Sequence, residues 1–130
     1  MKKIFFFLIL PGMITACKKT EVLREQNKAP IAFAGKDTVI ILPRDSIELN
    51  GSAIDADGTI ISYNWSKFSG PSSSVIVNPN VAATNVKSLV EGTYEFELKV
   101  TDNGGLSGKA RLIVIVLPLG NPGCAGCWDY

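Results

Sequence analysis

From residue 29 onward, apolar and polar residues alternate with the two-residue period of β-strands. The clearest run covers residues 94–101, where four apolar side chains alternate with four polar ones without interruption. Two shorter runs show the same alternation and place these side chains on the inner face: Ile47, Leu49, Ile61, Tyr63 and Trp65. The pattern therefore predicts strands that bury one face and expose the other.

The last run, residues 110–116, differs from the others because both of its faces are partly apolar. One face consists of Ala110, Leu112, Val114 and Val116. The other face carries Ile113 and Ile115, so we expect the far end of this strand to be covered on both sides.

Turn-forming residues separate these runs. Breaks rich in Gly, Pro, Asn and Asp lie at residues 55–58, 69–71, 78–80, 91–92 and 102–105. This spacing predicts about seven short strands and no helix, which is the pattern of an all-β, Ig-like antiparallel sandwich. Residues 29–117 are predicted to form that domain, with Trp65 and Tyr94 as core anchors. Tyr94 follows the turn at residues 91–92, as a tyrosine corner does.

Composition and charge narrow the possible functions. The chain has 130 residues with 13 basic and 12 acidic side chains, and its 46% apolar content is typical of a globular protein. It contains no histidine, which excludes Ser-His-Asp catalysis, Cys-His catalysis and histidine-ligated metals. The near-neutral charge provides no basic surface for nucleic acid. We therefore expect a non-enzymatic protein.

The N-terminus has the layout of an export signal. Two lysines precede a seven-residue apolar run, Ile4 to Leu10, which is too short for a membrane span of about 20 residues. Residues 14–17, Ile-Thr-Ala-Cys, resemble the lipobox of bacterial lipoproteins. The resemblance implies cleavage before Cys17 and a lipid on its thiol, which anchors the protein to a membrane. An ordinary secretory signal with an incidental cysteine is the alternative.

Residues 1–16 are thus predicted to be a lipoprotein signal peptide, and residues 17–28 a lipid-anchored polar tether that reaches at most about 35–40 Å. Removal of the signal leaves 11 basic and 12 acidic side chains, a net charge of −1. Position 18 is lysine and not the aspartate of an inner-membrane retention signal. The lipobox resemblance then implies the outer membrane, facing either the periplasm or the outside.

Five blocks of sequence resemble the PKD domain, named after the polycystic kidney disease repeat. They are Pro30-Ile31-Ala32-Phe33-Ala34-Gly35-Lys36-Asp37, Leu49-Asn50-Gly51-Ser52, Asp55-x-Asp57-Gly58-Thr59-Ile60-x-x-Tyr63-x-Trp65, Ser69-Gly70-Pro71 and Gly92-Thr93-Tyr94-x-Phe96-x-Leu98-x-Val100-Thr101-Asp102. The family's Trp-Asp-Phe-Gly-Asp-Gly stretch is absent, which indicates the Ser-Gly-Pro variant. The resemblance implies an Ig-like or Fn3-like sandwich that acts as a spacer or interaction module and rarely catalyses a reaction.

Three acidic side chains are expected to converge, because the B–C and F–G loops of an Ig-like sandwich lie at one end. These are Asp55, Asp57 and Asp102. Together with loop carbonyl groups, these carboxylates offer the oxygen ligands that Ca²⁺ prefers. We expect that the protein requires no cofactor, and calcium is the one cofactor that the sequence suggests. The alternative is that each carboxylate stabilises its own turn by accepting hydrogen bonds from backbone N–H groups. A glycosidase pair is disfavoured, since carboxylates two residues apart in a turn do not oppose each other across a sugar.

Residues 118–130 form a tail that contains Cys124 and Cys127 in CxxC spacing. A thioredoxin-like site places this motif at the start of a helix, and zinc needs four ligands, so a local disulfide is the favoured prediction. A thiol-redox role is the alternative. Trp128 and Tyr130 either pack on the sandwich or are presented to a partner.

Exposed aromatic side chains suggest a glycan as a second kind of partner. Phe68 and Trp128 are the candidates, although Phe68 is expected to close the end of the core. The expected function is a non-catalytic cell-envelope lipoprotein that displays one PKD-type sandwich as a protein-interaction or spacer module. A glycan-binding accessory protein and a thiol-redox accessory protein are the alternatives.

Overall fold

The computed structural model describes residues 25–120, and these residues form nine β-strands. In chain order they are β1 (Ile31–Phe33), β2 (Thr38–Ile41), β3 (Ile47–Asn50), β4 (Ser52–Ile54), β5 (Ile60–Ser69), β6 (Val75–Ile76), β7 (Ala83–Lys87), β8 (Gly92–Asp102) and β9 (Ser107–Leu117). Within this described part, no helix has the length and apolar character needed to cross a membrane. The predicted signal peptide, most of the tether and residues 121–130 lie outside the described residues.

Two sheets form the sandwich. One has the strand order β2-β9-β8-β5 and the other β3-β7-β6, while β1 and β4 form a short two-stranded sheet. The pairs are antiparallel except that of β2 with β9, which is parallel. The predicted all-β sandwich is confirmed, with this parallel pair as its one departure from an antiparallel arrangement.

The N-terminal half contains more strands than expected because glycines divide it. Gly35 has a φ of +96°, and the chain turns there from β1 into β2, which then joins the four-stranded sheet beside the last strand. Gly51 separates β3 from β4 where the backbone passes close to the core. A Cβ atom at position 51 would lie 2.5 Å from Leu98 Cδ2 and 2.8 Å from Trp65 Cζ2.

The core lies between the two larger sheets and is centred on β8. The inward side chains of β8 are completely buried: Tyr94, Phe96, Leu98 and Val100. Trp65 of β5 is 2% exposed, and its Nε1–H donates to the carbonyl of Ala82 at 3.1 Å. Burial of a large apolar side chain contributes about 1.5–3 kcal/mol, so this row accounts for much of the stability of the sandwich.

Tyr94 also fastens the turn that precedes β8. Its hydroxyl accepts a hydrogen bond from Val90 N–H at 2.9 Å and donates one to Val90 C=O at 3.2 Å. A tyrosine hydroxyl that bonds back to the backbone a few residues upstream is the arrangement of a tyrosine corner.

One expectation about which side chains point inward is wrong. A bulge in the pairing of β5 with β8 between Ile60 and Ser62 turns Ile61 outward, where it is 64% exposed, and Ile60 packs against the core instead. Ile113 and Ile115 point outward and are 40% and 36% exposed, because within the described residues nothing covers this part of β9. The expected cover on both sides of this strand therefore stays a prediction.

We expect Tyr94→Phe to lower the free energy of unfolding by about 1–3 kcal/mol, because two part-buried hydrogen bonds with the backbone of Val90 are lost and each contributes about 0.5–1.5 kcal/mol. Urea denaturation measures the change. Tyr63→Phe is the matched control, since Tyr63 is only partly buried and its hydroxyl takes no part in this turn. Equal stability of the two variants would contradict a structural role for the Tyr94 hydroxyl.

Candidate functional site

The loop before β5 and the β8–β9 hairpin meet at one end of the sandwich, as the sequence predicted. Asn103 joins them: its backbone N–H donates to Thr59 C=O at 3.0 Å, and its Oδ1 accepts from Thr59 N–H at 3.0 Å. This pair of hydrogen bonds fixes the spacing of the two loops that carry the three candidate aspartates.

Asp102 is buried at the base of the β8–β9 hairpin. Its Oδ1 accepts from Gly104 N–H and Leu106 N–H, each at 2.8 Å, and its Oδ2 accepts from the side-chain amide of Asn27 at 3.0 Å. A buried carboxylate needs such donors, because an unpaired charge away from water is costly. Asp102 therefore shapes the hairpin and ties the N-terminal segment to it.

Asp55 and Asp57 have similar roles in the loop before β5. Oδ1 of Asp55 accepts from Asp57 N–H at 3.1 Å and from Gly58 N–H at 3.0 Å, which closes the turn. The carboxylate of Asp57 accepts from Lys28 N–H at 3.0 and 3.3 Å. Two consecutive residues of the N-terminal segment, Asn27 and Lys28, are thus held by the two loops.

The structure gives the calcium hypothesis limited support. Oδ2 of Asp55 is buried and has no hydrogen-bond partner among the described residues, which is the state of a free ligand oxygen. However, within residues 25–120 no group of three or more acidic or cysteine side chains comes close enough together to hold a metal ion. Calcium at Asp55, Asp57 and Asp102 therefore stays a prediction.

The outer face of the four-stranded sheet carries a ladder of charged side chains. Glu97, which is 8% exposed, bonds to Lys109 Nζ at 2.9 Å and to Arg111 Nε at 2.8 Å. Arg111 also reaches Glu95 at 3.3 Å. The hydrogen bond from Lys109 and then that from Arg111 hold the pKa of the Glu97 carboxyl below its usual range.

Phe68 does not close the core, and that expectation is wrong. It is 54% exposed on the outer face, and the guanidinium of Arg111 lies 3.3 Å from the centre of its ring. This cation–π contact holds the ring at the surface but occupies one of its two faces. Phe68 therefore has at most one face left for stacking on a sugar.

Beside the charged ladder lies an exposed apolar area, which we call the β2–β9 patch. It consists of Val39, Ile41, Ile113, Ile115 and Leu117, which are between 36% and 57% exposed. The parallel register pairs Val39 with Ile115 and Ile41 with Leu117, so all five point to the same side of the sheet. Contiguous apolar surface of this kind marks interaction sites in soluble proteins.

Sequence reasoning missed the ladder and the role of Asn27. The ladder was accessible, because counting back from the hairpin turn places Glu97 opposite Arg111 and alternation points both outward. The contact between Asn27 and Asp102 spans 75 positions and has no local signal. The remaining predicted site residues, Cys17, Cys124, Cys127 and Trp128, lie outside the described residues.

Comparison with known proteins gives a consistent set of matches. Residues 34–116 match the family model described as "K319L-like, PKD domain". The chain is 39% identical to the dyslexia-associated protein KIAA0319 homolog of Rattus norvegicus over 102 aligned residues, and this alignment covers 78% of the chain. The chain spans only 9% of that relative's length.

Two solved structures are similar in both fold and sequence. The solution structure of the PKD domain from the KIAA 1837 protein has 36% identity and a TM-score of 0.64, and the match covers 75% of this chain and 96% of that one. The PKD1 domain of the Vibrio cholerae metalloprotease PrtV has 27% identity and a TM-score of 0.52, with 69% and 99% coverage.

We expect Asp102→Ala to lower the free energy of unfolding by about 3 kcal/mol, because the N–H groups of Gly104 and Leu106 lose a buried acceptor. Asp57→Ala is the matched control, since its carboxylate is exposed and its loss costs less than about 1 kcal/mol. Thermal and urea unfolding measure both. A stability of Asp102→Ala equal to that of the control would contradict the assigned role.

The same melting experiments test the calcium hypothesis. A site built on Asp55, Asp57 and Asp102 would raise the Tm in millimolar Ca²⁺ relative to EGTA, because the ion binds only the folded state. An unchanged Tm would end the hypothesis.

The charged ladder predicts a dependence of stability on pH. The folded-state pKa of Glu97 lies below its unfolded value, so its contribution is fully present above the unfolded pKa and is lost as the pH falls through the lower folded-state pKa. We expect Glu97→Gln to lose less stability than the wild type over this window, and Lys109→Met to show a smaller effect in the same direction. Urea denaturation at several pH values is the measurement. Identical slopes in all three proteins would rule out the ladder as the source.

Proposed function

This chain belongs to the PKD domain family, and from that premise we propose that it is a non-catalytic lipoprotein of the bacterial cell envelope that displays one PKD-type sandwich as an interaction or spacer module. The PKD resemblance expected from the sequence is confirmed by the family model over residues 34–116. The assignment to the Ser-Gly-Pro variant and the lipobox at Cys17 are parts of the proposal.

The observation that carries the spacer role is the separation of the two ends of the domain. Asn27 is bonded to the β8–β9 hairpin, and from that hairpin β9 runs for 11 residues, about 36 Å, before the chain leaves at Leu117. The N-terminal segment and the C-terminal exit therefore lie at opposite ends of the long sheet. A domain with this geometry holds whatever follows it at a set distance from whatever precedes it.

Fastening of the N-terminal segment supports the same role. The lipid is proposed on Cys17, and residues 17–26 then connect it to the point where Asn27 and Lys28 are held by Asp102 and Asp57. Only about ten residues separate the proposed lipid from Asn27, so the hairpin end of the sandwich is expected to face the bilayer within roughly 35 Å.

Two further observations favour a non-catalytic role. The candidate carboxylates accept hydrogen bonds from backbone N–H groups in place of facing each other across a cleft. A cavity of about 160 Å³ opens between β2 and β3, and it is smaller than the roughly 300–1,000 Å³ typical of small-molecule sites. Its floor is the apolar core, including Leu49 and Leu112.

The alternatives depend on residues that the structure describes only in part. Glycan binding would use Phe68, whose ring is already covered on one face by Arg111, together with Trp128. A thiol-redox role would use Cys124 and Cys127. A glycan array with a Phe68→Ala control tests the first, and insulin reduction compared between wild type and Cys127→Ser tests the second.

We expect Cys17→Ser to abolish lipid attachment and to release the protein from the membrane fraction, because the lipid is attached to the thiol of Cys17. The full chain is expressed in a Gram-negative host with an alkyne-tagged fatty acid and then fractionated. Cys124→Ser is the matched control and should keep both the label and the membrane location.

The intact mass of the purified wild-type protein shows whether Cys17 is the lipid-modified N-terminal residue. A mature protein that begins at a lipid-modified Cys17 supports the proposal. An unmodified Cys17 or a retained Met1 in the wild type would overturn it. The fold-level assignment to the PKD family would be unaffected, so anchoring and fold are tested separately.

A further inference from the structure

The β2–β9 patch leaves five branched aliphatic side chains exposed on a sheet whose neighbouring positions are charged or polar. Next to Ile113 and Ile115, strand β8 presents Glu95 and Thr93. The patch therefore ends at β8, and it covers the C-terminal half of β9 and the adjoining edge strand β2. Within residues 25–120 no other segment packs over these side chains, and each remains at least 36% exposed.

The chain leaves the domain at the patch itself. Leu117 is both the last residue of β9 and a member of the patch, and Leu119 just beyond is 64% exposed. Residues 121–130 follow, with the sequence Asn-Pro-Gly-Cys-Ala-Gly-Cys-Trp-Asp-Tyr. Gly120 to Gly123 is a run of turn-forming residues, which permits the chain to reverse at once. Trp128 and Tyr130 are two positions apart, so both point to one side of an extended segment.

We propose that residues 121–130 fold back over the outer face of the sheet and cover the β2–β9 patch with Trp128 and Tyr130. A chain that reverses at Asn121-Pro122 and returns residue for residue brings position 128 level with 115 and position 130 level with 113. The distance from Leu117 back to Ile113 is about 13 Å. Cys124 to Tyr130 span more than 20 Å when extended and about 15 Å when a Cys124–Cys127 disulfide draws those two residues together, so the aromatic side chains reach the patch in either state. The two aromatic side chains thus come to lie over the two isoleucines.

Two physical reasons favour this segment over a second molecule as the occupant. It is joined to the patch by only a few residues, so its effective concentration there is on the order of millimolar, above that of a free partner. It also carries two large aromatic side chains, which bury much apolar area at a low cost in conformational entropy. Docking of the segment does not depend on the proposed lipid anchor or on the spacer role.

Tryptophan fluorescence tests the proposal, because the chain contains only Trp65 and Trp128. Trp65 is buried in the core, so the spectrum of the full chain minus that of Trp128→Phe isolates Trp128. We expect this difference spectrum to be blue-shifted relative to N-acetyltryptophanamide and to be quenched by acrylamide at least threefold less. These values should not change with protein concentration.

A matched pair of substitutions identifies the surface that protects Trp128. Ile115→Lys places a charge in the middle of the patch and should restore solvent-like emission and quenching of Trp128. Ile61→Lys is the control, since Ile61 is also exposed but lies on β5, at the opposite edge of the same sheet. Circular dichroism and the Trp65 signal show whether both variants are folded.

Each result either supports or overturns the proposal. A solvent-like Trp128 in the wild type, or equal effects of Ile115→Lys and Ile61→Lys, would overturn it. Protection that appears only at concentrations where sedimentation shows a dimer would also overturn it, because a second copy would then be the occupant.

Discussion

The structure depends on the burial of one face of β8 against the second sheet. Four successive inward side chains, Tyr94 to Val100, are fully buried, and their combined hydrophobic contribution exceeds that of any local interaction in the domain. A slip of one residue would exchange this row for Glu95, Glu97 and Lys99, so the register of β8 is strongly fixed. Both neighbouring strands, β5 and β9, take their positions from it.

This fixed register also explains why the outer face of the four-stranded sheet has a charged area and a separate apolar area. Glu97 of β8 lies directly opposite Arg111 of β9, and this pair of opposite charges forms an ion pair. Diagonal contacts of Glu97 with Lys109 and of Glu95 with Arg111 extend the network. Farther along β9, its other edge also pairs with β2, whose outward side chains are aliphatic. The outer face of the four-stranded sheet therefore carries charged side chains that are paired with each other, and beside them the exposed apolar side chains of the β2–β9 patch.

The sequence was sufficient for features that depend on local alternation and turns. It predicted the sandwich, the burial of Trp65 and Tyr94, and the common end of the loops that carry the aspartates. It was insufficient where a long-range contact decides the outcome. The outward turn of Ile61 depends on a bulge opposite β8, and the exposure of Phe68 depends on Arg111 from β9. The parallel pairing of β2 follows from the crossing at Gly35, which no periodicity records.

That parallel pair has a mechanical consequence. If the domain is pulled between the fastened segment at Asn27 and the exit at Leu117, β2 is drawn toward the hairpin end and β9 toward the opposite end. The force then acts parallel to the two strands, along the paired positions from Thr38–Val114 to Ile41–Leu117. The hydrogen bonds between these strands share the force, so they must break together. A hairpin pulled apart from one end would lose its bonds one by one. The parallel pairing of β2 with the last strand thus makes this small domain resistant to tension along its own axis.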